Sequence, residues 1–140
     1  MNPLVFAILA ATSFGLWTVF HKLASPHINQ IFGAIIVSLT AVIFGGIVFL
    51  FNMKGIQLFS DSKGIIYIIL AGIAAFFIDF LALQAYSKGL SLTIGGPIII
   101  GGSMAVAVAI GFLLGEPITA LKILGIALIV IGGIFLASTN

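Results

Sequence analysis

Long apolar runs separated by short polar clusters dominate the chain. Charged and turn residues divide it into five such runs, each close to the ~20 residues that a helix needs to cross the ~30 Å hydrocarbon core of a bilayer. We therefore predict five membrane-spanning helices at about 4–23, 28–51, 64–86, 90–114 and 118–137, within a single domain that covers residues 1–140. The runs do not alternate in polarity as barrel strands do, so the predicted fold class is all-α.

The segment at 52–63 is too polar to cross the bilayer. It reads NMKGIQLFSDSK, and we predict a loop or a short interfacial helix whose Ile56, Leu58 and Phe59 reach the headgroup region. The other connections are short, so consecutive helices should form antiparallel hairpins in one bundle. Pro117 is expected at the first position of the fifth helix, where the N–H group that proline lacks would have no helical partner.

Composition supports a lipid environment. Apolar residues make up 62% of the chain and charged residues 6%, whereas soluble domains carry about 25% charged residues. This excludes a soluble enzyme, a nucleic-acid-binding domain and a disordered segment. The chain has no cysteine and no phosphate-binding loop. We expect a multi-pass protein of a cell membrane, located in the prokaryotic cytoplasmic membrane. We do not expect it to be an enzyme or to bind a cofactor or a metal ion.

The lysines leave the orientation open. Lys54, Lys63 and Lys122 fall on the side of the N-terminus, and Lys22 and Lys88 fall on the other side. The positive-inside rule then favours a cytoplasmic N-terminus only weakly, so either one fixed orientation or insertion both ways is compatible with the sequence. Insertion both ways would give an antiparallel homodimer. An odd number of spans can build an inverted-repeat transporter only by pairing with an inverted copy or partner.

Several segments resemble one transporter family. Residues 14–22 read FGLWTVFHK, 82–89 read ALQAYSKG, 112–119 read FLLGEPIT and 122–133 read KILGIALIVIGG. They are similar to the EamA-type domain of the drug/metabolite transporter superfamily, most specifically over the last 30 or so residues, in its Gly-Glu turn, the following Thr and the glycine pattern of the fifth helix. Members often have Trp where Phe14 stands, Asn where Trp17 stands and Pro near Ser103, and they typically lack an acid at Asp79.

The resemblance implies a secondary transporter that works by alternating access. Members commonly carry two such domains, so this single domain is expected to dimerise, with a small organic metabolite or drug-like molecule as substrate and the lipid bilayer as its surroundings. Asp79, within the third span, makes protons the expected coupling ion. The related small multidrug resistance transporters use a first-span Glu that is missing here. Two alternatives stay open: a non-transporting accessory subunit, and one half of a heterodimeric lipid-linked-sugar flippase.

Asp79 is the acid that lies inside a predicted span. An ionised carboxylate at such a depth is costly, so Asp79 should face the bundle interior, be protonated or meet a cation. We interpret it as a proton or cationic-substrate site, with a structural hydrogen bond to a neighbouring helix as the alternative. Phe76 and Tyr86 share its helix face by their spacing.

A mixed aromatic and polar stripe runs along the first span. Ser13, Phe14, Trp17 and His21 recur at helical spacing, and we predict that they line a substrate cavity together with the third and fourth helices. Aromatic rings could stack there on flat or cationic ligands. The alternative is ordinary packing or lipid contact. His21 could relay protons or be a tolerated polar residue, and Lys22 is expected to snorkel to the interface.

Glycine and proline mark the fourth span. Gly96 and Pro97 are expected to interrupt the helix, where a bend would expose backbone carbonyls to the cavity and serve as a hinge. Ser103, in the second glycine cluster, is expected to line the cavity. The alternative is that the glycines only allow close helix contact. Glycines at 125, 132 and 133 could form a dimer seam in the fifth helix.

Overall fold

The fold consists of five helices. The computed structural model describes residues 2–51, 62–117 and 119–138. Within these ranges the helices are α1 (Pro3–Ala24), α2 (Gln30–Phe51), α3 (Ser62–Ser87), α4 (Leu92–Leu113) and α5 (Ala120–Ala137), and no strand occurs among the described residues. All five helices are long and apolar enough to cross a membrane. The predicted all-α fold with five transmembrane helices is therefore confirmed.

Polar caps set where three of the helices begin. Asn2, Asn29 and Thr119 precede α1, α2 and α5, and each side-chain oxygen accepts a hydrogen bond from a backbone N–H two or three residues further along. Such caps satisfy N–H groups that have no partner within the helix. As a result α2 and α5 begin two residues later than predicted, at Gln30 and Ala120.

Two predictions about the connections need correction. Pro117 is not in the first turn of α5 but in the turn before it, because Thr119 takes the capping position. Its carbonyl oxygen instead accepts a hydrogen bond from Lys122 Nζ at 3.1 Å. For the predicted loop at 52–63, residues 52–61 lie outside the described residues, and Ser62 and Lys63 already belong to α3.

The fourth helix is not interrupted. α4 runs from Leu92 to Leu113 with Pro97 inside it, so the predicted break at Gly96 and Pro97 is wrong. A proline removes one backbone hydrogen bond, but here it stands in the second turn of the helix, and the preceding Gly95 and Gly96 are buried against neighbouring helices.

Helices α1, α3 and α4 form the centre of the bundle. Each contacts the other two, while α2 packs mainly against α3, and α5 mainly against α4. The buried apolar residues are few, with Ala82, Leu83, Tyr86 and Ile94 all near the α3–α4 turn. Many large apolar side chains point outward, as expected where the surrounding solvent is lipid. The tightest packing therefore lies in the membrane half that contains the α1–α2 and α3–α4 turns.

A matched glycine pair tests how α5 is attached. A Cβ added at Gly101 would stand 2.8 Å from Ile129 Cγ2 of α5, whereas one added at Gly102 would meet nothing within 4 Å. We expect Gly101→Val to lower the free energy of unfolding by about 1–3 kcal/mol through overpacking, and Gly102→Val to change it far less. Thermal unfolding of both variants in detergent measures the difference, and equal losses would contradict this packing of α4 on α5.

Candidate functional site

Asp79 is buried where α3 meets α1. Its residue surface is 6% exposed, and its Oδ1 has two partners from α1. The indole Nε1 of Trp17 donates a hydrogen bond to Oδ1 at 2.8 Å, and Nε2 of His21 lies 3.1 Å from the same oxygen. Trp17 and His21 share one face of α1 because they are four residues apart, so two neighbouring turns of α1 meet a single carboxylate.

The hydrogens on His21 can be placed from its contacts. Nδ1 lies 2.9 Å from the Trp17 carbonyl oxygen, which only accepts, so Nδ1 carries a hydrogen. Nε2 is buried at an ion-pair distance from Asp79, but the pair lacks hydrogen-bond geometry and Nε2 has no hydrogen-bond partner in the described structure. A bare Nε2 and an ionised carboxylate would place two acceptors face to face. A proton or a cation between them would remove this conflict.

Few other charges surround this pair. Helices α2 and α4 carry no charged or titratable side chain. Lys22, on α1, directs its Nζ to the Leu90 carbonyl oxygen at 2.8 Å and lies 5.8 Å from the centre of the Tyr86 ring. Leu90 lies in the turn between α3 and α4, so the ammonium group of Lys22 reaches a backbone carbonyl at the end of these helices. The Tyr86 hydroxyl is buried without a hydrogen-bond partner in the described structure.

A cavity of about 490 Å³ lies on the other side of Trp17 and His21. Ser13 extends this wall along α1, and the opposite wall comes from α2, including Val37 and Thr40. Drug-sized ligands occupy cavities of roughly 300–1,000 Å³. Our prediction placed this cavity among the first, third and fourth helices. In the structure α2 supplies the facing wall, α3 contributes Leu83, and α4 contributes none of the lining residues.

The other predicted aromatic residues do not line this cavity. Phe14 stacks on Trp17 with ring centres 5.0 Å apart. Phe76 stacks on Phe80 at 6.3 Å, further along α3. Tyr86 is fully buried at the end of α3, where Gly95 packs against its ring.

The residues predicted as a hinge or as cavity lining have different surroundings on α4. Gly96 is buried, and a Cβ added there would lie 3.9 Å from Thr18 Oγ1 of α1, so this glycine packs against α1. Pro97 is exposed beside a second cavity of about 250 Å³ between α4 and α5. Ser103 is exposed, and its hydroxyl donates to the Ile100 carbonyl oxygen at 2.7 Å. Neither Pro97 nor Ser103 lines the larger cavity.

The contribution of α2 was missed at the sequence level. Gly33, Val37 and Thr40 lie in an almost uniformly apolar helix, in which no polar stripe marks an inner face. Thr40 is the one polar residue of α2 that lines the cavity, and one residue is too little to indicate an inner face. No group of three His, Asp or Glu residues suited to a metal ion occurs in the described ranges.

The exposed apolar exterior and the carboxylate and imidazole buried inside it define a multi-pass helical membrane protein with a polar site between its helices. The chain matches the EamA-like transporter family over residues 1–139 and belongs to that family. The resemblance found in the sequence is thereby confirmed. Membership of this family supports a general role of the drug/metabolite transporter type.

One relative covers nearly the same length. The chain is similar to an uncharacterized protein of Methanocaldococcus jannaschii, with 29% identity over 139 residues that cover 99% of this chain and 98% of that protein. No solved structure matches the chain.

Proposed function

We propose that the protein is a proton-coupled secondary transporter of a small organic metabolite or drug-like molecule in the prokaryotic cytoplasmic membrane. The observation that carries this proposal is the buried Asp79–His21 pair, in which a carboxylate oxygen and an imidazole nitrogen lie 3.1 Å apart. A cavity large enough for a small molecule lies against the same two α1 residues, Trp17 and His21. Ion and substrate could therefore compete for one place.

Coupling follows from this competition. In the proposed resting site, either His21 or Asp79 carries a proton. When that proton leaves to water, a carboxylate and a bare imidazole nitrogen face the cavity wall, and a cationic or hydrogen-bond-donating group of the substrate takes the proton's place. Binding of either ligand then weakens binding of the other, and this free-energy coupling is reciprocal.

Alternating access requires a second copy in this proposal. Five spans place the two ends of the chain on opposite sides of the membrane, and inverted-repeat transporters surround their site with two oppositely oriented units. α5 packs mainly against α4 and buries none of its described residues, which leaves one flank of the bundle for a homodimer partner. We propose an antiparallel arrangement, in line with the weak lysine bias.

Substrate-dependent proton flux in proteoliposomes tests the function. Purified protein is reconstituted with an internal pH-sensitive dye and exposed to a panel of small metabolites and organic cations, with protein-free liposomes as the control. We expect the uptake of at least one compound to be accompanied by proton movement in the opposite direction. Uptake of a compound with no accompanying proton movement would contradict proton coupling, and no uptake of any compound would contradict the transporter proposal.

The indole donor gives a more specific prediction. Trp17→Phe keeps an aromatic ring beside Phe14 but removes the N–H that donates to Asp79. A hydrogen bond to a charged group contributes about 1.5–3 kcal/mol, so its loss should lower uptake by about tenfold or more. Phe14→Leu, which leaves the indole N–H in place, is the control, and an equal loss of uptake in both variants would contradict a role for this hydrogen bond.

A further inference from the structure

The buried polar side chains of the described residues lie on one side of the bilayer centre. On α1 they are Thr18, His21 and Ser25, and on α3 they are Asp79 and Tyr86, none of them more than 6% exposed. Both helices end at the same membrane face, where the α1–α2 and α3–α4 turns lie. The set therefore extends from the level of Asp79 to that face.

The rest of α1 and α3 offers no comparable set. Among the described residues, no buried polar side chain precedes Thr18 on α1 or Asp79 on α3. Thr12 and Ser13 are exposed, and their hydroxyls donate to backbone carbonyl oxygens of their own helix. The stretch of α3 at 64–78 is apolar and exposed over most of its length. In the described chain, buried polar groups thus connect Asp79 to one face only.

Two buried atoms of this set have no hydrogen-bond partner in the described structure, His21 Nε2 and the Tyr86 hydroxyl. Buried polar groups are ordinarily bonded to protein or to ordered water, and one buried water serves two or more such groups. Tyr86 is two helical turns from Asp79 and on the same face of α3. Helical side chains lean towards the N-terminus of their helix, so the Tyr86 hydroxyl reaches back towards the turn that carries Asp79. Water between the two atoms would satisfy both.

The end of α1 completes the set near the turns. Lys22 Nζ lies 5.8 Å from the centre of the Tyr86 ring and donates to the Leu90 carbonyl oxygen. The Ser25 hydroxyl donates to the Lys22 carbonyl oxygen at 3.0 Å, which leaves the lone pairs of the hydroxyl as acceptors. Helices α2 and α4 bring no charged or titratable side chain to this region. Apart from Asp79 and His21, the charge facing Tyr86 is therefore that of Lys22.

We propose that Tyr86 and Ser25, bridged by water, form a proton route from the Asp79–His21 site to the membrane face that carries the α1–α2 and α3–α4 turns. This inference rests on the proposed proton coupling and adds to it the route and the face. A proton that leaves the site passes to a water molecule and from there to the Tyr86 oxygen. The hydroxyl gives its own hydrogen to the next acceptor towards the turns, so the tyrosine ends unchanged and the proton is released to the solution.

The two tyrosines of the chain give a matched pair of variants. Trp17, the single tryptophan, contacts both Asp79 and His21 and reports on the site by its emission. After a rapid pH jump in detergent, Tyr86→Phe should slow the emission change by about tenfold or more, because the relaying hydroxyl is lost, and should leave the final emission as in the wild type. Tyr67→Phe, at a 69% exposed position of α3, should leave the rate unchanged. A wild-type rate in Tyr86→Phe would overturn the relay.

Silver-ion labelling tests for water in the route without any transport measurement. The chain has no cysteine, so one introduced thiol reports on one position. Ala82, between Asp79 and Tyr86 on α3, is 4% exposed, and Ala34 on α2 is 0% exposed. Both lie close to a helix end at the same membrane face.

Aqueous silver ions should block the thiol of Ala82→Cys and leave that of Ala34→Cys free for a maleimide dye after unfolding. Ser25→Cys, which is nearly isosteric, is the second position on the route should Ala82→Cys fold poorly. If silver blocks the route positions and the Ala34→Cys thiol alike, or blocks none of them, the hydrated route is overturned.

The two proposals can fail separately. If silver selects Ala82→Cys but proteoliposomes show no substrate-dependent proton movement, the hydrated route stands and proton-coupled transport falls. If proton movement is measured while Tyr86→Phe behaves like Tyr67→Phe and the thiol of Ala82→Cys stays free, transport stands and this route is overturned.

Discussion

Asp79→Asn is expected to abolish proton-driven transport while the protein stays folded. Asparagine has nearly the same shape as aspartate, and its side-chain oxygen can still accept the Trp17 hydrogen bond that Oδ1 accepts at 2.8 Å. It cannot take up and release a proton or balance a cation. Substrate-dependent proton flux should fall to that of protein-free liposomes, and any remaining uptake should no longer depend on pH.

The acid outside the bundle core provides the control. The Glu116 side chain is 65% exposed and lies 3.8 Å from Lys122 Nζ, a type of pair that contributes little to stability. Glu116→Gln removes the same charge as Asp79→Asn but should leave proton flux near the wild-type level. Unchanged, pH-dependent flux in Asp79→Asn would remove Asp79 from the coupling mechanism.

Gly95→Val is expected to produce the largest loss of stability. A Cβ at this buried position would lie 2.6 Å from Tyr86 Cε1 and 2.9 Å from Leu90 Cδ2, and Tyr86 is fully buried. The ring has no room to retreat, so α4 would have to separate from α3. We expect about 3 kcal/mol of destabilisation, at the upper end of the range for overpacked cores.

Thermal unfolding and the yield of monodisperse protein measure this effect. Gly102→Val, on the same helix with open space around the position, carries the same cost of placing a β-branched residue in a helix. The difference between the two variants therefore isolates the contact with Tyr86 and Leu90. If Gly95→Val and Gly102→Val unfold at the same temperature, α3 and α4 do not pack as described.

The fold was predictable because lipid imposes a simple rule on sequence. Runs of about 20 apolar residues between charges have to be helices, and the structure places all five where the pattern puts them, with differences of only a few residues at their ends. Those differences come from local hydrogen bonds, such as the Thr119 cap of α5. The sequence pattern does not show whether Thr119 or Pro117 marks the start of that helix.

The site was predictable only where it departs from the apolar pattern. Asp79 and the Trp17–His21 spacing stand out from their surroundings, and the structure brings these three side chains together. The facing wall from α2 could not be foreseen, since an apolar helix gives the same pattern whether it faces lipid or a cavity. Lys22 donates to the Leu90 carbonyl oxygen, 68 residues away in sequence, and only the tertiary packing specifies that contact.

A pH titration of Trp17 emission is the most direct test of whether Asp79 and His21 share one proton. It needs no knowledge of the substrate, because the indole touches both the Asp79 carboxylate and the His21 ring. We predict that Trp17 emission changes with pH in the wild type, that Asp79→Asn alters this change, and that the emission no longer depends on pH when His21 is also replaced by asparagine. The same dependence on pH in the wild type and in Asp79→Asn would contradict the account.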